Sequence, residues 1–138
     1  MNKTILFIES YEPLAELFAD ELPDYFKDQD LEWDTGVHRS MAALRYLIAD
    51  ELLKPACIVV HCEENPVHEL NDLKIKHQLT TPIVILTTMS PKSLISSTVE
   101  GELAGENIHF LGMPFHIKDL VAKIKELVAD SMPVQSEP

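Results

Sequence analysis

The chain has 138 residues, of which 46% are apolar and 25% are charged. This size and composition are typical of one soluble domain with its own hydrophobic core. An excess of acids gives a net charge of −12, which argues against a nucleic-acid-binding surface because clustered lysine and arginine bind phosphates.

Short apolar segments that recur along the chain are predicted to be strands. They are residues 4–8, 31–35, 56–60, 83–86 and 108–111. The segments 4–8, 56–60 and 83–86 are mainly apolar runs, which is typical of strands buried on both faces of a sheet. The segment 31–35 alternates between apolar and polar residues instead, which is typical of a strand with one face exposed.

Helical spacing of apolar residues predicts a helix after each strand. The predicted helices cover residues 13–22, 41–52, 67–78, 91–105 and 117–128. We expect Pro23 to end or bend the first helix, and Ser40 and Ser90 to cap the second and the fourth. The fourth contains several serines and glycines, so we expect it to be irregular.

Alternating strands and helices predict a parallel sheet covered by helices on both faces. In such sheets, sites lie just beyond the carboxyl ends of the strands. This rule selects eight residues: Glu9, Ser10, His61, Cys62, Thr87, Thr88, Gly112 and Met113.

The chain is predicted to form one domain over residues 1–130, followed by a disordered tail over 131–138. No apolar run approaches the roughly 20 residues of a membrane span, and the first apolar stretch is too short for a signal peptide. The two cysteines, Cys57 and Cys62, are too few for a disulfide framework. We therefore predict a cytoplasmic protein that does not interact with membranes.

Four fragments, in order and at the right spacing, resemble the receiver domain of bacterial two-component response regulators. They are ILFIESYEPLAELFADEL, PACIVVHCEENP, TPIVILTT and HFLGMPF. The resemblance covers about residues 3–130. It implies the (βα)5 flavodoxin-like or CheY-like fold, with five parallel strands and helices on both faces.

The active positions of the family differ in this chain. The family has two acids after the first strand, and Glu9 and Ser10 occupy those positions in this chain. His61 occupies the position of the phosphoacceptor Asp. Met113 replaces the Lys that precedes a Pro after the fifth strand. The hydroxyl position keeps Thr87 and the aromatic switch position keeps Phe110, both of which we interpret mainly as fold residues.

Phosphorylation of a carboxylate needs a nucleophilic Asp, a Mg²⁺ ion and a cation for the developing charge. A Glu, a Ser hydroxyl and an imidazole are a poor ligand set for Mg²⁺, and Met113 supplies no charge. The resemblance therefore implies a pseudo-receiver that lacks the phosphorylation switch. We expect no enzymatic activity and no cofactor.

His61 leaves several interpretations open. It is a candidate phosphate acceptor because imidazole is nucleophilic, a candidate metal ligand with Glu9, Cys62, Glu63 or His68, and a candidate pH sensor near Glu9. The interpretation that we favour is a neutral histidine at the rim of the pocket, hydrogen-bonded to its neighbours.

Residues 9–34 contain ten acids and one base. This excess indicates either a solvated helix face or a docking surface for a basic partner. The candidate docking residues are Glu12, Glu16, Asp20 and Glu21. In receivers this helix binds phosphodonor proteins, so the resemblance implies a histidine kinase, a phosphotransfer protein or another signalling component as partner.

A second candidate surface consists of the fourth predicted helix, the fifth strand and the fifth helix, through which receivers form homodimers. Three functional hypotheses follow. The first is a phosphorylation-independent signalling adaptor that acts through protein–protein interaction. The second is a sensor that binds a metal or small ligand around His61 and Glu9. The third is a receiver fold without a regulated state, retained as part of an assembly.

Overall fold

The computed structural model describes residues 3–49, 54–61, 67–88 and 107–131. Within these ranges, five strands form one parallel sheet. They are β1 (Lys3–Glu9), β2 (Trp33–His38), β3 (Cys57–His61), β4 (Ile83–Thr87) and β5 (Ile108–Gly112). Their spatial order, β2-β1-β3-β4-β5, is that of a doubly wound, flavodoxin-like sheet. The predicted architecture is confirmed.

Helix α1 consists of three consecutive parts. They are an α-helical turn at Glu12–Glu16, a π-helical turn at Leu17–Glu21 and a second α-helical part at Leu22–Asp28. The remaining described helices are α2 (Met41–Ala49), α3 (Val67–His77) and α4 (Ile117–Ser131). The helix predicted to begin at Ser90, and residues 132–138 of the predicted tail, lie outside the described residues. Among the described helices, none is long and apolar enough to cross a bilayer.

The core has two parts, one on each face of the sheet, because successive side chains of a strand point to opposite faces. On one face, Phe7 and Val59 pack against α1 and α4. On the other face, Leu6 and Ile58 pack against α2 and α3. All four side chains are buried. Helices therefore cover both faces, as the sequence predicts.

The predicted position of the second strand was wrong by two to three residues. Leu31 belongs to the end of α1, where its N–H bonds the carbonyl of Phe26 and the N–H of Asp30 bonds the carbonyl of Lys27. With Asp30 at a φ of 59°, this is a Schellman ending, which often carries an apolar residue after the positive-φ position. Strand β2 then starts at Trp33, paired with Lys3.

Helix α1 does not end at Pro23, which lies in the first turn of its second α-helical part. The preceding π turn explains this. The N–H of Leu22 bonds the carbonyl of Leu17, five residues earlier. Proline lacks an N–H and its ring clashes with the carbonyl four residues before it in a regular helix, so the altered register accommodates the ring.

Candidate functional site

The candidate site lies where the strand order reverses, between β1 and β3 at their carboxyl ends. Glu9 ends β1 and His61 ends β3, and their Cα atoms are register partners. Neighbouring strands are about 4.8 Å apart, and paired residues point to the same face. The sheet therefore brings the side chains of Glu9 and His61 together, as the strand-end rule predicts.

Glu9 and His61 form a hydrogen bond. His61 Nδ1 lies 2.7 Å from Glu9 Oε2, which also accepts the N–H of Tyr11 at 3.0 Å. The Glu9 side chain is fully buried, whereas that of His61 is 22% exposed. A carboxylate only accepts hydrogen bonds, so we assign the proton to Nδ1. This arrangement agrees with the favoured interpretation of His61 in that the side chain is hydrogen-bonded to a neighbour and partly exposed, while its neutral state stays a prediction.

The second carboxylate oxygen of Glu9 differs from the first. Oε1 is buried, and no donor from the described residues reaches it. A buried polar atom without a partner costs about 1–3 kcal/mol. Among its contacts with the described residues, Glu9 is thus held by hydrogen bonds to Oε2 alone, and Oε1 can accept a further hydrogen bond or bind a cation.

Ser10 is exposed next to this pair. Its carbonyl oxygen accepts a hydrogen bond from the guanidinium of Arg39, at 2.9 Å. Sequence reasoning missed Arg39, although it directly follows β2 and therefore stands at the same edge of the sheet. The contact links the loop after β1 to the end of β2.

Thr87 and Met113 lie at the same edge of the sheet. Thr87 ends β4, and Met113 directly follows the neighbouring strand β5. The N–H of Met113 bonds the carbonyl of Thr87 at 2.8 Å, and the peptide bond from Met113 to Pro114 is cis. The half-buried Met113 side chain packs against the core on the α1 and α4 face. Phe110 packs against the core on the other face, which agrees with its interpretation as a fold residue.

The donor set does not fit the Mg²⁺ ion that phosphoryl transfer on a receiver fold requires. Mg²⁺ needs near-octahedral oxygen ligands, but Glu9 Oε2 already accepts two hydrogen bonds and Met113 presents an apolar side chain. Among the described residues, no three His, Cys, Asp or Glu side chains cluster so that they could hold a metal ion. Cys62, Glu63 and the side chain of His68 lie outside the described part of the chain.

Cys57 belongs to the core. Its side chain is fully buried, and burial raises the pKa of the thiol to about 12. Because the thiolate is the nucleophilic form, Cys57 is chemically inert at neutral pH. The prediction that it is a core residue is confirmed.

The four acids predicted to form a docking surface are all exposed on α1: Glu12, Glu16, Asp20 and Glu21. The buried side of α1 carries Ala15, Phe18, Leu22 and Phe26. The helix therefore separates an acidic outer face from an apolar inner face.

No protein-family model matches the sequence, and no curated protein matches it. Its structure is similar to the receiver domain of the Francisella response regulator 1452, with a TM-score of 0.69 at 18% identity over 95% of this chain and 100% of that chain. It is also similar to a response regulator receiver protein from Sinorhizobium medicae, with a TM-score of 0.68 at 16% identity over 93% and 95% of the two chains.

A third similar structure is the signal receiver domain of an HD domain-containing protein from Pseudomonas fluorescens. The TM-score is 0.64 at 14% identity, over 94% of this chain and 88% of that chain. At sequence identities this low, the structural similarity establishes the shared fold alone. The chain therefore has the CheY-like fold of a response-regulator receiver domain.

Proposed function

We propose that this protein is a phosphorylation-independent signalling adaptor that acts through protein–protein interaction in a bacterial two-component or related pathway. The observation that supports this most is the Glu9–His61 pair. By the sequence resemblance, the pair stands at the positions of a receiver's acid and phosphoacceptor. The imidazole is hydrogen-bonded to a buried carboxylate at 2.7 Å. On this proposal the adaptor acts in the cytoplasm and carries out no catalytic step.

The exposed acids of α1 support a docking role for that helix. Opposite charge on the partner steers association and sets orientation. A histidine kinase or a phosphotransfer protein is the partner class that we propose. A homodimer through the fourth predicted helix, β5 and α4 remains a prediction, which analytical ultracentrifugation tests directly.

Incubation with acetyl phosphate and Mg²⁺, followed by intact mass measurement, tests phosphorylation independence. We expect no gain of about 80 Da, the mass of one phosphoryl group, while an active receiver in the same buffer gains it. A stoichiometric gain would overturn the proposal. Mapping would then begin at His61, Glu9 and Glu63.

Binding to purified histidine kinases and phosphotransfer proteins of the source organism tests the docking surface. The variant Glu12→Gln/Glu16→Gln/Asp20→Asn/Glu21→Gln should weaken binding at least tenfold. A control variant removes the same charge from exposed acids outside α1: Glu32→Gln/Asp72→Asn/Asp119→Asn/Glu126→Gln. Equal affinities for the two variants would exclude the α1 surface.

A ligand sensor is the second candidate function, and the buried Glu9 Oε1, which no donor from the described part of the chain reaches, favours it. A thermal-shift screen with Mg²⁺, Mn²⁺, Zn²⁺, Ni²⁺ and acyl phosphates tests it. A ligand at 100 times its Kd adds about 2.7 kcal/mol to stability, or several degrees for a domain of this size. A shift that persists in the variant Glu9→Gln would place the ligand elsewhere, and no shift would exclude the sensor.

A further inference from the structure

A groove opens between α1 and the start of α4. Four of its lining residues come from α1 and one from the start of α4: Leu17, Glu21, Leu22, Tyr25 and Ile117. Its volume is about 150 Å³, similar to that of an engineered apolar cavity that binds benzene. The groove thus has room for one aliphatic or aromatic side chain.

The π turn shapes this groove. Leu17 and Leu22, whose backbone groups form the five-residue hydrogen bond of the turn, both line it. A π turn inserts one extra residue into a helix and is often found at functional sites. Because Pro23 requires an altered helical register, the sequence itself accounts for the local shape.

The surroundings of the groove are acidic. Glu21 belongs to the lining, and Glu16, Asp20 and Asp24 are exposed on the same helix. The bases nearest to the lining residues in sequence are Lys27 and Lys118, so the four acids outnumber the bases around the groove. A partner that inserts an apolar side chain here must also approach this negative field, which favours lysine and arginine around the inserted residue.

The form of the partner follows from the groove's place between two helices. A peptide that binds as a strand needs unpaired backbone groups at a sheet edge, whereas residues of two helices line the groove. A helix needs only an apolar groove and side-chain contacts. Acids separated by about one turn, such as Glu16 and Asp20, also match the spacing of bases along a helix.

We infer that the groove between α1 and α4 holds one apolar side chain of a basic amphipathic helix in a protein partner. This inference rests on the proposed adaptor function and specifies the chemistry of its partner. The inserted apolar side chain fixes where the partner helix binds, and the surrounding charges attract that helix.

Two synthetic helical peptides test the inference. Both are built from alanine and lysine with a fluorescein label, and they differ only at a central residue, which is leucine in one and alanine in the other. We expect the leucine peptide to bind at least about fivefold more tightly in anisotropy titrations, because burial of a leucine side chain is favourable. In methyl NMR spectra, it should shift the resonances of Leu17, Leu22 and Ile117.

Two variants fill the groove, Leu17→Phe and Ile117→Phe, so that a folding defect in one does not end the test. Each should abolish the preference for the leucine peptide and leave binding of the alanine peptide unchanged. The variant Glu21→Gln should weaken both peptides, and 500 mM NaCl should do the same because it screens exposed charges.

Equal affinity of the two peptides, NMR shifts outside the groove or no binding of either peptide would overturn the inference. The adaptor function is tested separately by the mass measurement. Phosphorylation by acetyl phosphate would refute the adaptor while leaving the peptide preference intact, so the two failures are distinguishable.

Discussion

Replacement of His61 by alanine tests the Glu9–His61 pair most directly. It removes a charge-assisted hydrogen bond of 2.7 Å, and such bonds contribute about 1.5–3 kcal/mol. From the described residues, the N–H of Tyr11 would be the one donor left to Glu9. Water can partly replace the imidazole because His61 is 22% exposed, so we expect a loss of about 2 kcal/mol.

The melting temperature should fall by about 7 °C, because an unfolding entropy of about 2.1 cal/mol/K per residue amounts to about 0.3 kcal/mol/K here. Guanidinium chloride titrations followed by circular dichroism measure the free energy of unfolding directly. The control His116→Ala changes an exposed histidine and should alter the free energy by less than about 0.5 kcal/mol.

The double variant Glu9→Met/His61→Ala distinguishes two costs: the loss of the hydrogen bond, and the burial of the Glu9 carboxylate without its imidazole partner. Removal of both partners of a buried polar pair is often nearly neutral, whereas removal of one is costly. We therefore expect the double variant to be at least about 1 kcal/mol more stable than His61→Ala alone. If His61→Ala unfolds like the wild type, or if the double variant is less stable than the single one, the pair is not coupled as inferred.

Three further predictions concern the backbone of α1 and the core thiol. Asp30 has a φ of 59°, so Asp30→Gly should raise the free energy of unfolding by about 0.5–1 kcal/mol. Asp30→Asn controls for the lost charge, and a loss of stability of Asp30→Gly in urea titrations would contradict the reasoning. In a Cys62→Ser background, iodoacetamide at pH 8 should modify Cys57 only after denaturation, because burial raises its pKa to about 12; rapid labelling of the native protein would contradict this. Pro23→Ala restores an N–H that can donate a hydrogen bond to the carbonyl of Ala19, so it should remove the π turn and weaken the preference for the leucine peptide. Unchanged Cα chemical shifts at Leu17–Glu21 would refute this origin of the turn.

The fold was predictable because its strands are short apolar runs separated by helical periodicity. The runs that contain Phe7 and Val59 are buried on both faces of the sheet, and such strands have the simplest sequence signal. Glu9 and His61 were predictable as neighbours for a related reason. Each directly follows such a run, and parallel strands end at one edge.

The failures came from local hydrogen bonding that periodicity does not encode. Leu31 continues an apolar and polar alternation, yet its N–H completes the Schellman ending of α1. Pro23 predicted an end or a bend of the helix, and the helix continues past it after a π turn. Arg39 was missed because its contact is made with a backbone carbonyl, which no side-chain motif reveals.

A receiver's switch depends on a group that binds its two conformations with different affinity, since only such a difference shifts a conformational equilibrium. The sequence resemblance implies that His61, which is hydrogen-bonded to Glu9, stands at the phosphoacceptor position and that Met113 stands at the position of the essential lysine. In the proposed adaptor, no phosphoryl group provides that difference. The acidic face of α1 and its groove would then be presented at all times, so occupancy would follow the concentration and affinity of the partner. Regulation would therefore have to act on the amount of either protein or on a competitor for the groove.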